Sequence, residues 1–410
     1  MKKSYTLATL FLLIFIDSLN YFLIMPVLMR AFVENADRLL PPAVSLATRA
    51  ELYGLGVMLA PLCFLLFSPF LGNLSDKYGR KKIMLGCLFA AFCGYALPIF
   101  GIWQKSLIWI FIGRALTGAA MGSQPIAQAA VTDISQGPQK SFYLALIGFA
   151  MTLGMMIGPF AGSYLSDPHF LEFLSISTPY YLGAFFALLN IVLLYFAFHE
   201  THVVKIQKKS APILQSTKIL FRILFNSNVS SLLFIFCFFE IAWSEYYQSL
   251  FLYFPKMFGY SADQIGNFTL YIGIWMCFGL SFFYKWLTKQ IKIAEIFALS
   301  IVIMTGSLII LGFIPSIFVQ WVFVAPLAVF TGTAYASMLS LLSDRADPEH
   351  QGWVLGVASF FMGLTWMITA FTSGKLMGIS TQAPMIFAAL SMLVAFGLFL
   401  FNRKSFTMSA

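Results

Sequence analysis

The sequence predicts an all-α polytopic membrane protein of about twelve transmembrane helices, arranged as two six-helix bundles related by a pseudo-twofold axis. Three observations lead there. Of 410 residues, 60% are hydrophobic and only 10% charged, whereas a soluble domain has roughly 45–50% apolar and about 25% charged residues. Apolar runs centre near residues 15, 60, 93, 118, 151, 188, 238, 273, 304, 331, 362 and 393, each near the length of about 20 residues that a bilayer crossing needs. The chain also repeats itself weakly at an offset of 211–212 residues. Thr132-Asp133 falls on Ser343-Asp344, Leu144 on Leu355, Met151 on Met362, Leu153 on Leu364, Phe160 on Phe371 and Gly54 on Gly266. A duplicated six-helix unit produces such an offset, and parallel repeats of that size place a substrate site at their interface near the membrane midplane.

Lys2-Lys3 before an apolar run also describes a secretory signal. This run is longer than a signal's apolar region, carries Asp17 near its middle and lacks a small-x-small cleavage site, so it reads as a retained first helix. Connections are short except around 30–50 and in the basic stretch from His199 to Arg222. The expected organisation is a first bundle over 1–198, a cytoplasmic linker over 199–224 and a second bundle over 225–410. Alternating the loops puts 18 Lys and Arg residues on one side and six on the other, with Arg114 inside a span. The basic side is the cytoplasmic one, which places both termini there, as an even number of spans requires. The net charge of +9 therefore reports orientation, not a nucleic-acid partner.

Several functions are disfavoured. Cys63, Cys87, Cys93, Cys237 and Cys277 all fall in apolar stretches, with no disulfide framework or metal-ligand spacing. The four histidines lie at span ends or in loops, away from any intramembrane relay or metal site. The chain has no G-x-x-x-x-G-K-[ST] phosphate loop, no Ser-His-Asp set and no long soluble domain, so an ATP-driven pump, a membrane enzyme and a sensor are remote readings. No cofactor is expected.

The loop after the second span reads Gly72-Asn-Leu-Ser-Asp76-Lys-Tyr-Gly79-Arg80-Lys81-Lys82. Its glycines permit a tight turn and close helix approach, and Asp76 and Arg80 can pair at i,i+4. It resembles the signature G-x-L-x-D-x-x-G-R-[RK] between helices two and three of the major facilitator superfamily, where the loop is a conformational latch. The counterpart in the second half, Tyr284 to Gln290, lacks the Gly and Asp. The fourth span carries Arg114-Ala-Leu-Thr-Gly118-Ala-Ala-Met-Gly122 and ends at Asp133. It resembles that family's helix-four motif, in which an intramembrane Arg is linked to proton transfer. Gly154-Met-Met-Ile-Gly158-Pro159-Phe-Ala-Gly162 places small residues every fourth position, which suits close packing. It resembles the G-x-x-x-G-P-x-x-G signature of drug-exporting antiporters, and the second half has Thr365, Thr369, Ala370 and Ser373 instead. The first span, Asp17-Ser-Leu-Asn20-Tyr21 to Pro26, and the sixth-span ending His199-Glu200-Thr201 are similar to the twelve-span drug–proton antiporters, including tetracycline exporters. Departures are His199 where Pro is common and Lys140 where Arg is common. The resemblance implies a monomer in a bacterial inner membrane.

Asp17, Arg114, Glu240 and Glu245 are the ionisable residues within spans. A charge at a helix centre costs about 2.5–3.5 kcal/mol on the insertion scale, so such groups normally face a bundle interior or aqueous cavity. Asp17, Asn20, Tyr21 and Ile24 share one helical stripe; Glu240, Trp243, Ser244 and Tyr247 share another. Glu245 lies about 140° around the helix from Glu240, so the two are not expected to face one cavity equally. Low dielectric disfavours a charged carboxyl and a nearby cation favours it; on that basis Arg114 is expected to tune Asp17. The proton-coupling set is thus Asp17, Glu240, Arg114 and Glu245, and the substrate cavity Asn20, Tyr21, Trp243, Ser244 and Tyr247, with Trp275 and Trp366 as further aromatics. Aromatic faces beside carboxylates suit a lipophilic cation. The expected function is secondary active transport of a small organic solute, as proton-coupled efflux of lipophilic compounds, cationic ones included. The alternative is proton-coupled import of an organic nutrient or metal chelate.

Overall fold

A computed structural model describes residues 2–135, 137–201, 227–345 and 351–402. Linker residues 202–224, with Lys205, Lys208, Lys209, Lys218 and Arg222, lie outside the described residues, as do His202, His350, Arg403 and Lys404. The described secondary structure is helical: α1 Lys2–Leu28, α2 Leu46–Tyr78, α3 Arg80–Trp103, α4 Leu107–Ala120, α5 Ser123–Asp133, α6 Gly137–Leu165, α7 Thr178–Ala197, α8 Ser227–Phe258, α9 Ala262–Phe278, α10 Tyr284–Leu287, α11 Ile293–Phe313, α12 Ile317–Arg345, α13 Gln351–Ile379 and α14 Ala383–Phe401. A π-helical turn, Met29–Val33, follows α1, and another, Gly279–Phe283, joins α9 to α10.

All twelve expected span centres fall within helices. Ten helices are long and apolar enough to cross a membrane among the described residues. The other two centres lie in α4 and α8. The fourth expected span is interrupted at Met121-Gly122, leaving helices of 14 and 11 residues. Glycine is the poorest helix former after proline, and Gly122 sits where a Cβ would come within 2.6 Å of Leu71 Cδ1. Helix α8 has 32 residues and carries Glu240, Glu245 and Gln248 among its apolar side chains.

The chain divides into two compact units. One holds the described residues up to 201 together with Tyr260–Gly273; the other holds the described residues from 227 to 259 and from 274 onward. Residues 260–273, which the sequence reading places with the second bundle, pack against α6. Gly266 and Gly273 supply the room: a Cβ at 266 would lie 2.7 Å from Ser163 Oγ, and one at 273 would strike Met156. Tyr164 and Asn267 exchange hydrogen bonds at 3.2 and 3.0 Å.

In the first unit α1 packs on α6 and α7, α3 on α4 and α7, and α2 on α4. Leu10, Ile14, Met84, Leu88, Ile126, Val131 and Leu194 fill a buried cluster between them. Lipid is as apolar as leucine, so close van der Waals packing, not solvent exclusion, holds such helices together. The glycine motif of α6 provides it. A Cβ at Gly154 would lie 2.6 Å from Leu19 N, one at Gly158 2.7 Å from Leu19 O, and one at Gly162 would collide with Leu23 O. In the second unit α8 packs on α13 and α14, and α11 on α12 and α14.

Candidate functional site

The glycine face of α6 fixes the helix that carries Asp17. Asp17 Oδ2 accepts from Ser123 Oγ at 2.6 Å, and Oδ1 lies 3.5 Å from Asn190 Nδ2, which also reaches Leu13 O at 3.4 Å. Asn20 donates to Gly183 O at 3.3 Å, while its Oδ1 is buried with no hydrogen-bond partner among the described residues.

Arg114 is 1% exposed. Its Nε donates to Gly56 O at 3.0 Å and its guanidinium stands 5.2 Å from the Tyr21 ring centroid. It forms no ion pair with Asp17; its charge bears on the Tyr21 phenol. The amides and hydroxyls of α5 and α7 hold Asp17 instead. Tyr21 and Ile24 are buried on the same stripe.

In the second unit, α13 serves both acidic residues of α8. Trp366 Nε1 donates to Glu240 Oε2 at 3.4 Å and Thr372 Oγ1 to Glu245 Oε2 at 2.9 Å. The helical offset between the two carboxyls therefore does not send them to different neighbours. Glu245 is fully buried, and its Oε1 has no hydrogen-bond partner among the described residues. Gln248 Nε2 donates to Thr369 Oγ1 at 2.7 Å, Thr369 Oγ1 to Ser244 Oγ at 3.0 Å, and Ser244 Oγ to Glu240 O at 2.6 Å. Trp243 and Trp366 flank Tyr247, with ring centroids 5.8 and 5.9 Å away. Trp275 packs edge-on against Phe278, at 6.0 Å.

The Gly72–Lys82 segment is tied to the ends of α5 and α7. Gly79 breaks the helix with φ +95°, a conformation open to glycine and costly for other residues. Arg80 Nη1 lies 2.5 Å from Asp76 Oδ1 and 2.6 Å from Ser75 Oγ, and its Nε 3.3 Å from Asp133 Oδ2. Glu200 accepts from the backbone N–H groups of Arg80 and Lys81, both at 3.0 Å, placing a carboxylate at the positive N-terminus of α3. Lys81 Nζ donates to Tyr195 O and Phe198 O at the end of α7. The expected close approach holds at Gly79, where a Cβ would lie 2.7 Å from Glu200 Oε2; at Gly72 a Cβ would meet open space.

A second charge cluster forms where α1 ends. Arg30, which the sequence reading treats as a loop charge, is 8% exposed. It donates to Ser166 O at 2.7 Å and pairs with Asp167 at 2.7 Å. Burial pushes the Asp167 carboxyl up, but the His169 backbone N–H, the Arg30 guanidinium and the His169 ring together hold it below the ordinary value. Glu34 goes the other way: burial raises it, Arg30 only partly offsets this, and Asp167 and Asp263 add to the rise.

Sequence reasoning missed Ser123, Asn190, Gln248, Thr369 and Thr372. Asn190 and Gln248 had a signal, an amide inside an apolar run. The hydroxyls had none, since Ser and Thr are common in membrane helices.

Residues 10–370 match the sequence model of the Major Facilitator Superfamily, and the chain belongs to that family of membrane transporters. It is 30% identical over 217 residues to the class H tetracycline resistance protein of Pasteurella multocida, covering 53% of this chain and 48% of that one. It is 29% identical over 198 residues to multidrug resistance protein 1 of Bacillus subtilis, covering 47% and 44%. The chain thus spans about half the length of the curated relatives it matches. The crystal structure of the human organic anion transporter MFSD10 (TETRAN) superposes with a TM-score of 0.74 at 18% identity, covering 96% of this chain and 99% of the other. At that identity the likeness defines the fold.

Proposed function

We propose that the chain is a proton-coupled exporter of small lipophilic compounds, working by alternating access as a monomer in a bacterial inner membrane with both termini cytoplasmic. The observation that carries this reading is Asp17, a carboxyl inside the first unit bound by Ser123 and Asn190 with no cation paired to it among the described residues. A carboxyl in such a place takes up and releases a proton as its surroundings alternate between wet and dry. One proton moving inward across 100 mV releases about 2.3 kcal/mol, enough to drive a solute uphill. Glu240 and Glu245 are the corresponding groups of the second unit, with Trp243, Ser244 and Tyr247 offering aromatic and hydroxyl surface to substrate. In the first unit, Arg114, Asn20 and Tyr21 offer such surface. The loop with Asp76, Arg80, Lys81 and Asp133 acts as the conformational latch.

The export direction rests on the Gly154–Gly162 motif being confined to the first half and on the names of the tetracycline and multidrug resistance relatives. The test is solute movement in proteoliposomes under an imposed pH gradient, with tetracycline and lipophilic fluorescent dyes as probes. Export predicts solute moving against the proton flow, and loss of uphill movement in Asp17→Asn without loss of insertion. Movement with the proton flow would establish the import alternative. Full uphill transport by Asp17→Asn would remove Asp17 from the mechanism.

A further inference from the structure

Glu245 lies fully buried on α8, and among the described residues one hydroxyl serves it. Its Oε2 is 2.9 Å from Thr372 Oγ1, and its Oε1 meets no hydrogen-bond partner there. No described cation comes within 4.0 Å of it. The helices packed on α8 bring no charge to it. Helix α14 has no ionisable side chain, and the charged residues of α12, Asp344 and Arg345, are its last two. Lys375 of α13 is exposed, with Nζ 4.4 Å from the Phe371 ring centroid. On α8 itself, Lys256 donates to Met377 O, and the other carboxyl, Glu240, faces Trp366.

A threonine hydroxyl has a single hydrogen to donate, and Thr372 has two places to send it. Ile368 O, one turn back on α13, lies 3.0 Å from Oγ1. With Glu245 ionised, one hydrogen would serve two acceptors, and a buried negative charge would rest on one neutral hydroxyl at most. Buried charges are normally paired and hydrogen-bonded; otherwise the group takes a neutral form. A neutral Glu245 removes the shortage. Its own O–H donates to Thr372 Oγ1, and Thr372 donates to Ile368 O. The 2.9 Å contact accommodates a hydrogen from either side. Asp17 differs, because two side chains, Ser123 and Asn190, donate to it. Glu240 differs too, because the indole N–H of Trp366 only donates.

We infer that Glu245 is the proton-carrying carboxyl of the second unit, held neutral in this conformation, with Thr372 as its positioning residue. On release the Glu245 proton passes to water, and the Thr372 hydrogen turns from Ile368 O to the new carboxylate. Uptake reverses both movements. Release needs water at the contact between α8 and α13, which ties it to movement of those helices. This deepens the proton-coupled reading and rests on it: of the two acids on α8, it assigns the proton to Glu245 and not to Glu240.

The experiment is infrared spectroscopy of the purified full chain reconstituted in lipid, at neutral pH, with no gradient and no solute. A neutral carboxylic acid has its own carbonyl stretch, apart from the carboxylate and amide bands, and exchange into heavy water lowers it. The inference predicts such a band in the unaltered protein, lost in Glu245→Gln and kept in Glu240→Gln. Thr372→Val removes the oxygen that accepts the acid's hydrogen, so the band should move to higher frequency, and Thr372→Ser should restore its position. An acid band unchanged by Glu245→Gln, or unmoved by Thr372→Val, would overturn the inference. If Glu245→Gln fails to fold, the band position in Thr372→Val against Thr372→Ser decides. Solute flux under a pH gradient is measured separately. An acid band assigned to Glu245 in a protein whose flux ignores the gradient refutes the coupled reading and leaves the neutral acid standing. Gradient-driven flux that persists undiminished in Glu245→Gln refutes Glu245 as carrier and leaves the coupled reading standing.

Discussion

The Ser123 hydroxyl donates to Asp17 Oδ2 at 2.6 Å, joining residues 106 positions apart in the chain. The interruption at Met121-Gly122 begins α5 at Ser123, and the glycine face of α6 brings α1 to it. Hydrogen bonds to charged groups are worth about 1.5–3 kcal/mol. Ser123→Ala is therefore expected to lower gradient-driven initial rates about tenfold, with Ser123→Thr largely active. In an Asp17→Asn background the same substitution should add little, because the two residues act as one unit. An additive loss would mean that Ser123 acts elsewhere.

Gly162→Ala drives a methyl group into the Leu23 carbonyl of α1, whereas a Cβ at Gly148 on the same helix meets nothing within 4 Å. The first substitution should destabilise by about 1–3 kcal/mol through overpacking. The second should stabilise by up to about 1 kcal/mol through helix propensity. Thermal unfolding of the detergent-solubilised protein separates them; equal melting temperatures would show that α1 does not rest on this face.

Glu200 holds the two backbone N–H groups that open α3, and Gly79 leaves room for it. Glu200→Ala should cost about 0.5–2 kcal/mol, the range for loss of a helix cap. Gly79→Ala should be at least as damaging, since it combines a left-handed φ of +95° with a contact at 2.7 Å to Glu200 Oε2. The melting temperatures of both variants check this, and an unchanged value for Gly79→Ala would dismiss the strain.

The Arg30–Asp167 pair predicts a pH dependence with a definite sign. The His169 backbone N–H and the Arg30 guanidinium hold Asp167 below the ordinary carboxylate value, so its stabilising contribution is present above that ordinary value and is lost as the pH falls through the folded value. Burial holds Glu34 above the ordinary carboxylate value, so it opposes folding at neutral pH and ceases to do so below that ordinary value. Asp167→Asn should lower the melting temperature at pH 7 and converge with the unaltered protein under strongly acidic conditions. Glu34→Gln should raise it at pH 7. A constant gap between Asp167→Asn and the unaltered protein down to strong acid would rule out the pair as the source.

Composition and hydropathy determined the helical, membrane-embedded class and the twelve helix positions, and the short motifs carried the resemblance to the family, because hydropathy, span length and such motifs are local properties of a chain facing lipid. They also marked Asp17, Arg114, Glu240 and Glu245, since a charge in an apolar run stands out wherever it points. The partners of those charges were decided only in three dimensions. Nothing local indicates that Asp17 bonds to Ser123 and Asn190 rather than to Arg114, or that α13 reaches both Glu240 and Glu245. Arg30 read as a loop charge because the chain after it looks irregular, yet it is buried against Ser166 and Asp167. Which hydrogen-bonding groups meet depends on how helices rotate and cross, and that is set by where glycines let backbones touch, as Gly154, Gly158 and Gly162 let α6 touch α1.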